Sequence, residues 1–211
     1  MRLLGPALLH RAQFIFGRSW WQVQILYKLI FAAALLVTLP SIAQSSPIDA
    51  ARSSVTVRVY KTGLFSGLAH NHVIKAPVAS GSIDPQQRIV SLTFNATDLK
   101  LVDTEGSESD HQEIEATMKG PTVLNVAQFP TIGFQSKKVG VANADSYQVT
   151  GDLKLHGVTR EITIPVVLSG GVYKGSARLK QTDFGITPVK VAGGTVRVKD
   201  EIDVGFEIVT R

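Results

Sequence analysis

The side chains best equipped for chemistry are few and scattered. His70-Asn71-His72 sets two imidazoles two residues apart, a spacing that puts both on one face wherever the chain is extended. With Asp110, His111 or Glu113 as a third donor, the pair could hold one metal ion. A zinc site takes three or four ligands with hydrogen bonds behind them, so two histidines do not make one. The competing reading is a rim loop whose imidazoles bond to backbone or to the polar end of a ligand. The same spelling opens a nuclease motif, but the pattern around it and the basic face such an enzyme needs are both missing, which excludes that class.

Two other stretches invite chemistry and supply less. His156 stands near Arg160, and Arg160 with Lys154 could meet a pyrophosphate, to which a forked guanidinium is suited. The competing reading has His156 and Thr159 satisfying a turn's backbone while Arg160 pairs with Asp152 or Glu161. Asp183-Phe184-Gly185 spells the metal-binding tripeptide of kinases, but no glycine-rich loop, paired lysine or catalytic loop accompanies it. Phe184 is expected to plug the interior and Gly185 to let the backbone turn. The chain has no cysteine, so disulfides and thiol catalysis are excluded. No catalytic set emerges, and no cofactor is expected.

The elements that must position these residues are strands. In Tyr147 to Leu168, Tyr147, Val149, Gly151, Leu153 and Leu155 alternate with polar residues, as do Ile162, Ile164, Val166 and Leu168. Period two on both sides of His156-Gly157-Val158-Thr159 predicts a β-hairpin with one apolar face. A lone hairpin cannot bury that face. Val55, Val57 and Val59 predict another strand, and Val90, Leu92 and Phe94 a further one. Ile132 and Phe134 add to the set, as do Tyr173, Ala177 and Leu179, then Val196 and Val198, then Ile202, Val204, Phe206 and Ile208. Val73 to Ile83 is broken by Pro77 and reads as an edge strand or a bulge. Ala96 to Ser109 reads as polar loop. Glu108 to Lys119 has helical spacing, with Ile114 and Met118 four apart and Gly120-Pro121 as the stop. Pro121 to Val126 is expected to add a short turn of helix. About eight antiparallel strands with one helical excursion fold as a sandwich or as a barrel, and the residues leave both open.

The first 43 residues read differently. Met1 to Lys28 carries four basic residues and no acidic one, Leu29 to Leu39 is apolar, and small residues at Ser41 and Ala43 follow. This is the layout of a secretory signal cut after Ala43, and residues 44–211 are then one mature domain. An uncut signal anchor is the alternative, although this eleven-residue run falls short of the roughly 20 that span a bilayer. The formal net charge of +5 belongs mostly to this leader. Four of the 22 Lys and Arg lie there, leaving 18 against 17 Asp and Glu, a net +1. A nearly neutral domain without a recognition motif argues against nucleic acid, and no stable membrane span is expected once the signal is gone.

Gly151-Asp152-Leu153 through Leu155-His156-Gly157-Val158-Thr159-Arg160, followed by an alternating strand, resembles the signature hairpin of the YceI-like family. Phe129-Pro130 with Phe134, Asp183-Phe184-Gly185-Ile186 and Asp200-Glu201-Ile202 extend the resemblance from about Ile48 to Thr210. The resemblance implies an all-β, antiparallel lipocalin-like β-barrel, periplasmic or secreted, whose relatives carry polyisoprenoid lipids. The chain departs from the commoner pattern at Ser109 to Ala127, a stretch near the cavity mouth in the family, so a head-group preference does not carry over. By parity Val55, Val57, Val59, Val90, Leu92, Phe94, Ile132, Phe134, Val149, Leu153, Ile162, Ile164, Val166, Leu179, Val204, Phe206 and Ile208 point inward. An ordinary packed core is one reading of them, and an elongated apolar cavity is the other. The expected ligand set is Val57, Phe94, Phe134, Val149, Leu153, Ile162, Ile164, Phe184 and Phe206, with His70, His72 and Arg160 at the polar end. The expected function is an exported carrier of a long-chain amphiphile, a polyisoprenoid or similar lipid. The alternatives are a metal-dependent enzyme centred on His70 and His72, or a non-catalytic envelope stress protein acting through its surface.

Overall fold

The computed structural model describes residues 45–62, 71–103 and 106–211; the expected leader and His70 lie outside them. Each run of period-two alternation forms a strand, because alternation gives a strand one apolar face that a sheet can bury. The long strands are β2 (Ser54–Thr62), β4 (Val78–Asp84), β5 (Ile89–Asn95), β7 (Thr131–Asn143), β8 (Ser146–Leu155), β9 (Val158–Ser169), β10 (Val172–Lys180) and β12 (Val196–Val209). Shorter pieces are β1 (Ser46–Pro47), β3 (His72–Lys75), β6 (Lys100–Leu101) and β11 (Lys190–Val191). All pairings are antiparallel, in the order β1-β4-β5-β7-β8-β9-β10-β12-β2-β3-β6, with β11 on β12.

The sheet closes through the chain itself. β3 pairs with β2, β4 pairs with β5, and only Ala76-Pro77 separates β3 from β4. One bent stretch therefore forms a wall whose first half belongs to one flank of the sheet and whose second half belongs to the other. Proline has no amide hydrogen to give a ladder, and the last bond before it, from the Ala76 N–H to the Val55 carbonyl, is 2.9 Å long. The strand expected at an edge is thus the closing seam, with a register shift between Val78 and Ser80. Counting β3 and β4 as one, the result is a barrel of eight walls.

Turn chemistry sets the hairpins. His156 at φ 50° and Gly157 at φ 75° make the two-residue connection between β8 and β9, and two consecutive left-handed residues match the twist of paired strands. A Cβ on Gly157 would lie 2.5 Å from the Phe129 ring, so glycine is needed there for space as well as for torsion. Gly170-Gly171 joins β9 to β10 in the same way, at φ 58° and 78°. The α-helix, α1 (Glu108–Lys119), has Ser107 as its N-cap in a capping box with Asp110. The Ser107 amide and hydroxyl hold the Asp110 carboxyl below its ordinary range. Residues 121–124 and 126–128 form turns rather than helix, with Asn125 left-handed at φ 45°. The stretch expected to be loop after Ala96 contains a short 3-10 turn and β6, because Leu99 and Leu101 are buried.

The barrel has two unlike ends. The hairpin end carries the connections β4–β5, β7–β8 and β9–β10, and the segment Ser46–Asp49 is stitched there to β4 and to the end of β12. The helix end carries the His156-Gly157 turn, the 3-10 turn Gln181–Phe184 and α1.

Candidate ligand cavity

Inside the barrel lies a cavity of about 640 Å³, bounded by side chains from every wall. That lies within the roughly 300–1,000 Å³ of small-molecule sites. All the residues that parity sends inward line it. Some of them, such as Phe94, Phe134, Val149 and Val166, are buried in the clusters of the wall, whereas Val57, Leu153, Ile162, Ile164 and Phe206 are only half-buried. A strand residue that points into a barrel and is still half-exposed faces open interior. Packed core and cavity are therefore both present, the first as a sleeve around the second. Gly175 helps to shape the sleeve: a Cβ there would lie 2.5 Å from the Phe206 ring.

Part of the helix end is filled by an apolar cluster, while Lys61, Glu113, Lys180 and Arg197 also line the cavity there. Phe184, 2 % exposed, packs with Val123 and Ile186, and Leu124, Leu153, Leu155, Val158 and Leu179 surround them. Gly185 at φ 73° turns the chain directly after it. From α1, Ile114 and Met118 pack against the main core and line the cavity. Glu115 ties this helix to β6: the Leu101 N–H donates to its Oε1 at 2.8 Å and Lys119 Nζ to its Oε2 at 3.1 Å. Burial works to raise the Glu115 carboxyl, but the Leu101 amide and the cations of Lys119 and Lys100 outweigh it, and the group sits below its ordinary value.

The expected polar residues are placed as follows. His72 is the first residue of β3 rather than part of a loop, and it lines the cavity opposite Val59. Its Nδ1 lies 2.6 Å from Asp103 Oδ2, and Asp103 Oδ1 accepts the Val73 N–H. A carboxylate only accepts, so the ring donates from Nδ1. Asp103 was not foreseen, although it follows inward-facing Leu101 by two positions. Asp110 belongs to the helix cap, Glu113 lines the cavity, and no three His, Asp or Glu side chains converge among the described residues.

Arg160 departs from the expectation. It does not line the cavity; it is exposed, and its Nε donates to the Asp183 carbonyl at 2.9 Å. Neither Asp152 nor Glu161 is its partner, because Lys137 takes both, at 2.6 and 3.2 Å. Position 160 lies an even count from the inward residues Ile162 and Ile164, but it sits next to the turn, where the strand leaves the sleeve. His156 also reaches beyond its own turn, with Nδ1 3.1 Å from the Phe184 carbonyl and its ring edge-on to Phe129 at 4.7 Å. The hairpin stretch and the Asp183-Phe184-Gly185 stretch thus form one structural joint.

At the hairpin end the cavity is lined by Asp84, Arg88, Tyr147 and Tyr173. Burial raises the Tyr173 phenol above its ordinary value, and the neighbouring Tyr147 adds to the rise. Both tyrosines stand in the alternation of their strands, which was the signal available for them.

Known proteins agree with this architecture. A UPF0312 protein of Pseudomonas aeruginosa is 39 % identical over 95 residues, which covers 40 % of this chain and 49 % of that protein. A UPF0312 protein of Yersinia pestis is 34 % identical over 97 residues, covering 41 % and 50 %. The chain thus spans about half the length of the curated relatives it matches. Among solved structures, Burkholderia cenocepacia BcnA matches with a TM-score of 0.56 at 20 % identity, over 76 % of this chain and 98 % of that one. A polyisoprenoid-binding domain from Saccharophagus degradans matches with a TM-score of 0.54 at 16 % identity, over 78 % and 97 %. At those identities the likeness is one of fold. The YceI-like domain model matches residues 47–210, and with the closed antiparallel barrel described above, the chain belongs to the YceI-like family.

Proposed function

We propose that this protein is an exported carrier that holds one long-chain amphiphile, a polyisoprenoid or similar lipid, in the barrel interior and shields it from water in the periplasm or outside the cell. The observation that carries the proposal is the cavity of about 640 Å³ walled by half-buried aliphatic and phenyl side chains. Burial of a methylene-sized group contributes about 0.8 kcal/mol, or roughly 4 kcal/mol per five-carbon isoprene unit. Association costs roughly 4–15 kcal/mol, so about one to four units offset it without any covalent step. The ligand class named for the Saccharophagus degradans domain supports the reading, and so does the signal-like composition of the first 43 residues. In this reading the protein is a binding protein and not an enzyme. The test is native mass spectrometry of the purified protein, set against an organic extract of the same sample. A co-purifying polyprenyl species at one per barrel is expected. A protein that is empty and also takes up no added prenyl lipid would overturn the proposal.

A further inference from the structure

One wall of the barrel is paired along only part of its length. β9 and β10 meet in four residue pairs, from Ser169 with Val172 to Val166 with Gly175. Beyond that point Val158–Pro165 stays paired with β8 and Ser176–Lys180 with β12, and neither stretch pairs with the other. Two residues build the fork. A Cβ on Gly175 would lie 2.6 Å from the Pro165 carbonyl, so the strands are pressed together there, and Pro165 has no N–H with which to extend a ladder. Along the two lips Ile162, Ile164, Ala177 and Leu179 line the cavity, and Lys180 lines it where β10 ends.

The 3-10 turn Gln181–Phe184 bridges the wide end of the split, and it is fastened unequally to the two sides. It continues β10 directly, Gln181 Nε2 donates to the Lys199 carbonyl at 2.8 Å, and the Thr182 amide and hydroxyl donate to the Asp200 carboxylate at 2.9 and 2.7 Å. Toward the β8–β9 hairpin it is held by Arg160 Nε on the Asp183 carbonyl at 2.9 Å, by His156 Nδ1 on the Phe184 carbonyl at 3.1 Å, and by Val158, which packs against the Phe184 cluster. Parting two laddered strands costs a backbone hydrogen bond at each rung. Parting β9 from β10 beyond the fork costs no rung; the Arg160 and His156 bonds and the Val158 contact are what must yield.

We infer that the split between β9 and β10 is a side gate through which the tail of the amphiphile enters and leaves the barrel, with Arg160 as its latch and the 3-10 turn moving with β10 and β12. This rests on the carrier reading and adds the route of the ligand. The chain has no cysteine, so an introduced pair can be stapled without background. Thr163 and Arg178 are exposed on the two lips and lie outside the cavity lining. The full-length variant T163C/R178C is joined by a bismaleimide with a reducible disulfide spacer, and transfer of geranylgeraniol to and from phosphatidylcholine vesicles is timed. Stapling should slow uptake and release alike, by about tenfold or more, and leave the affinity unchanged, because a barrier shared by both directions alters rates and not the equilibrium. Reducing the spacer should restore both rates. The variant K174C/E207C, joined in the same way across the fully paired β10–β12 wall, should transfer at the unstapled rate. R160Q should speed both directions by about twofold to tenfold, the worth of one hydrogen bond, and so tests the latch without a staple. Unstapled rates in the joined T163C/R178C protein, equal slowing by both staples, or slowing that survives reduction would overturn the gate and leave the carrier standing. An unmodified chain that takes up no geranylgeraniol would overturn both.

Discussion

The two ends of this barrel enclose the same cavity and are finished by opposite means. At the helix end a helix, a 3-10 turn and the joint between His156 and Phe184 pack together, and His72, Glu115 and His156 find partners within the protein, while Lys180 and Glu113 line the cavity. At the hairpin end, where the strands join through short turns, Arg88 and two phenols line the cavity and bond to no described residue. Packing and satisfied hydrogen bonds give stability and a single arrangement, whereas unsatisfied donors at a cavity give stability nothing and are available to a ligand. The difference assigns an apolar plug around Phe184 to one end and leaves two phenols without a protein partner at the other, within one continuous sleeve.

The assignment breaks most readily at Phe184. Truncating this 2 %-exposed ring leaves a cavity under the helix end, and Phe184→Ala should cost about 3–5 kcal/mol in denaturant unfolding; a loss below about 1 kcal/mol would show that the helix end does not hold the fold together. Next in size is Asp103→Ala, which strips the Val73 amide and the His72 ring of their acceptor and should cost about 1–3 kcal/mol by the same measurement.

A smaller effect appears in the acid limb of the stability profile. The Glu115 carboxyl lies below its ordinary value of 4.5 in the folded protein. Its contribution is therefore complete above the unfolded value and fades as the pH falls through the lower, folded one. Glu115→Gln should flatten that part of the curve below about pH 4.5, and an unchanged slope in acid titrations followed by circular dichroism would remove Glu115 as the tie between α1 and β6. The smallest effect is expected at the other end: Tyr147→Phe with Tyr173→Phe should move unfolding by less than about 0.5 kcal/mol, since neither hydroxyl has a protein partner. A large loss there would mean that the phenols serve the fold after all.

The contrast between the ends also explains what could be read from the chain alone. The sleeve was legible because strand parity is a local property, and the apolar residues named as inward on that ground, from Val55 to Ile208, all line the cavity. Glu108–Lys119 was legible for a similar reason, since a capping serine, i,i+4 apolar residues and a Gly-Pro stop are all short-range signals. Pro77 could be seen to break a strand, but a partner switch that closes the barrel depends on β2 and β5, which lie on opposite sides of it in sequence. The same limit applied to polar groups. Arg160 has the chemistry of a ligand clamp, yet it is held to the Asp183 carbonyl by a contact across 23 residues. Arg88 carried no signal in the sequence, and only the fold shows that it lines the same cavity as Tyr147 and Tyr173.

Those two tyrosines have an optical consequence. Residues 44–211 contain no tryptophan, because Trp20 and Trp21 are the two in the chain, and they contain three tyrosines, Tyr60, Tyr147 and Tyr173. Two of the three face the cavity, while Tyr60 donates to Asp203 on the outer surface. In residues 44–211 prepared without the leader, phenol emission is free of indole overlap and weighted toward the cavity wall, so filling and emptying of the barrel can be followed there by its own ultraviolet fluorescence without an added dye.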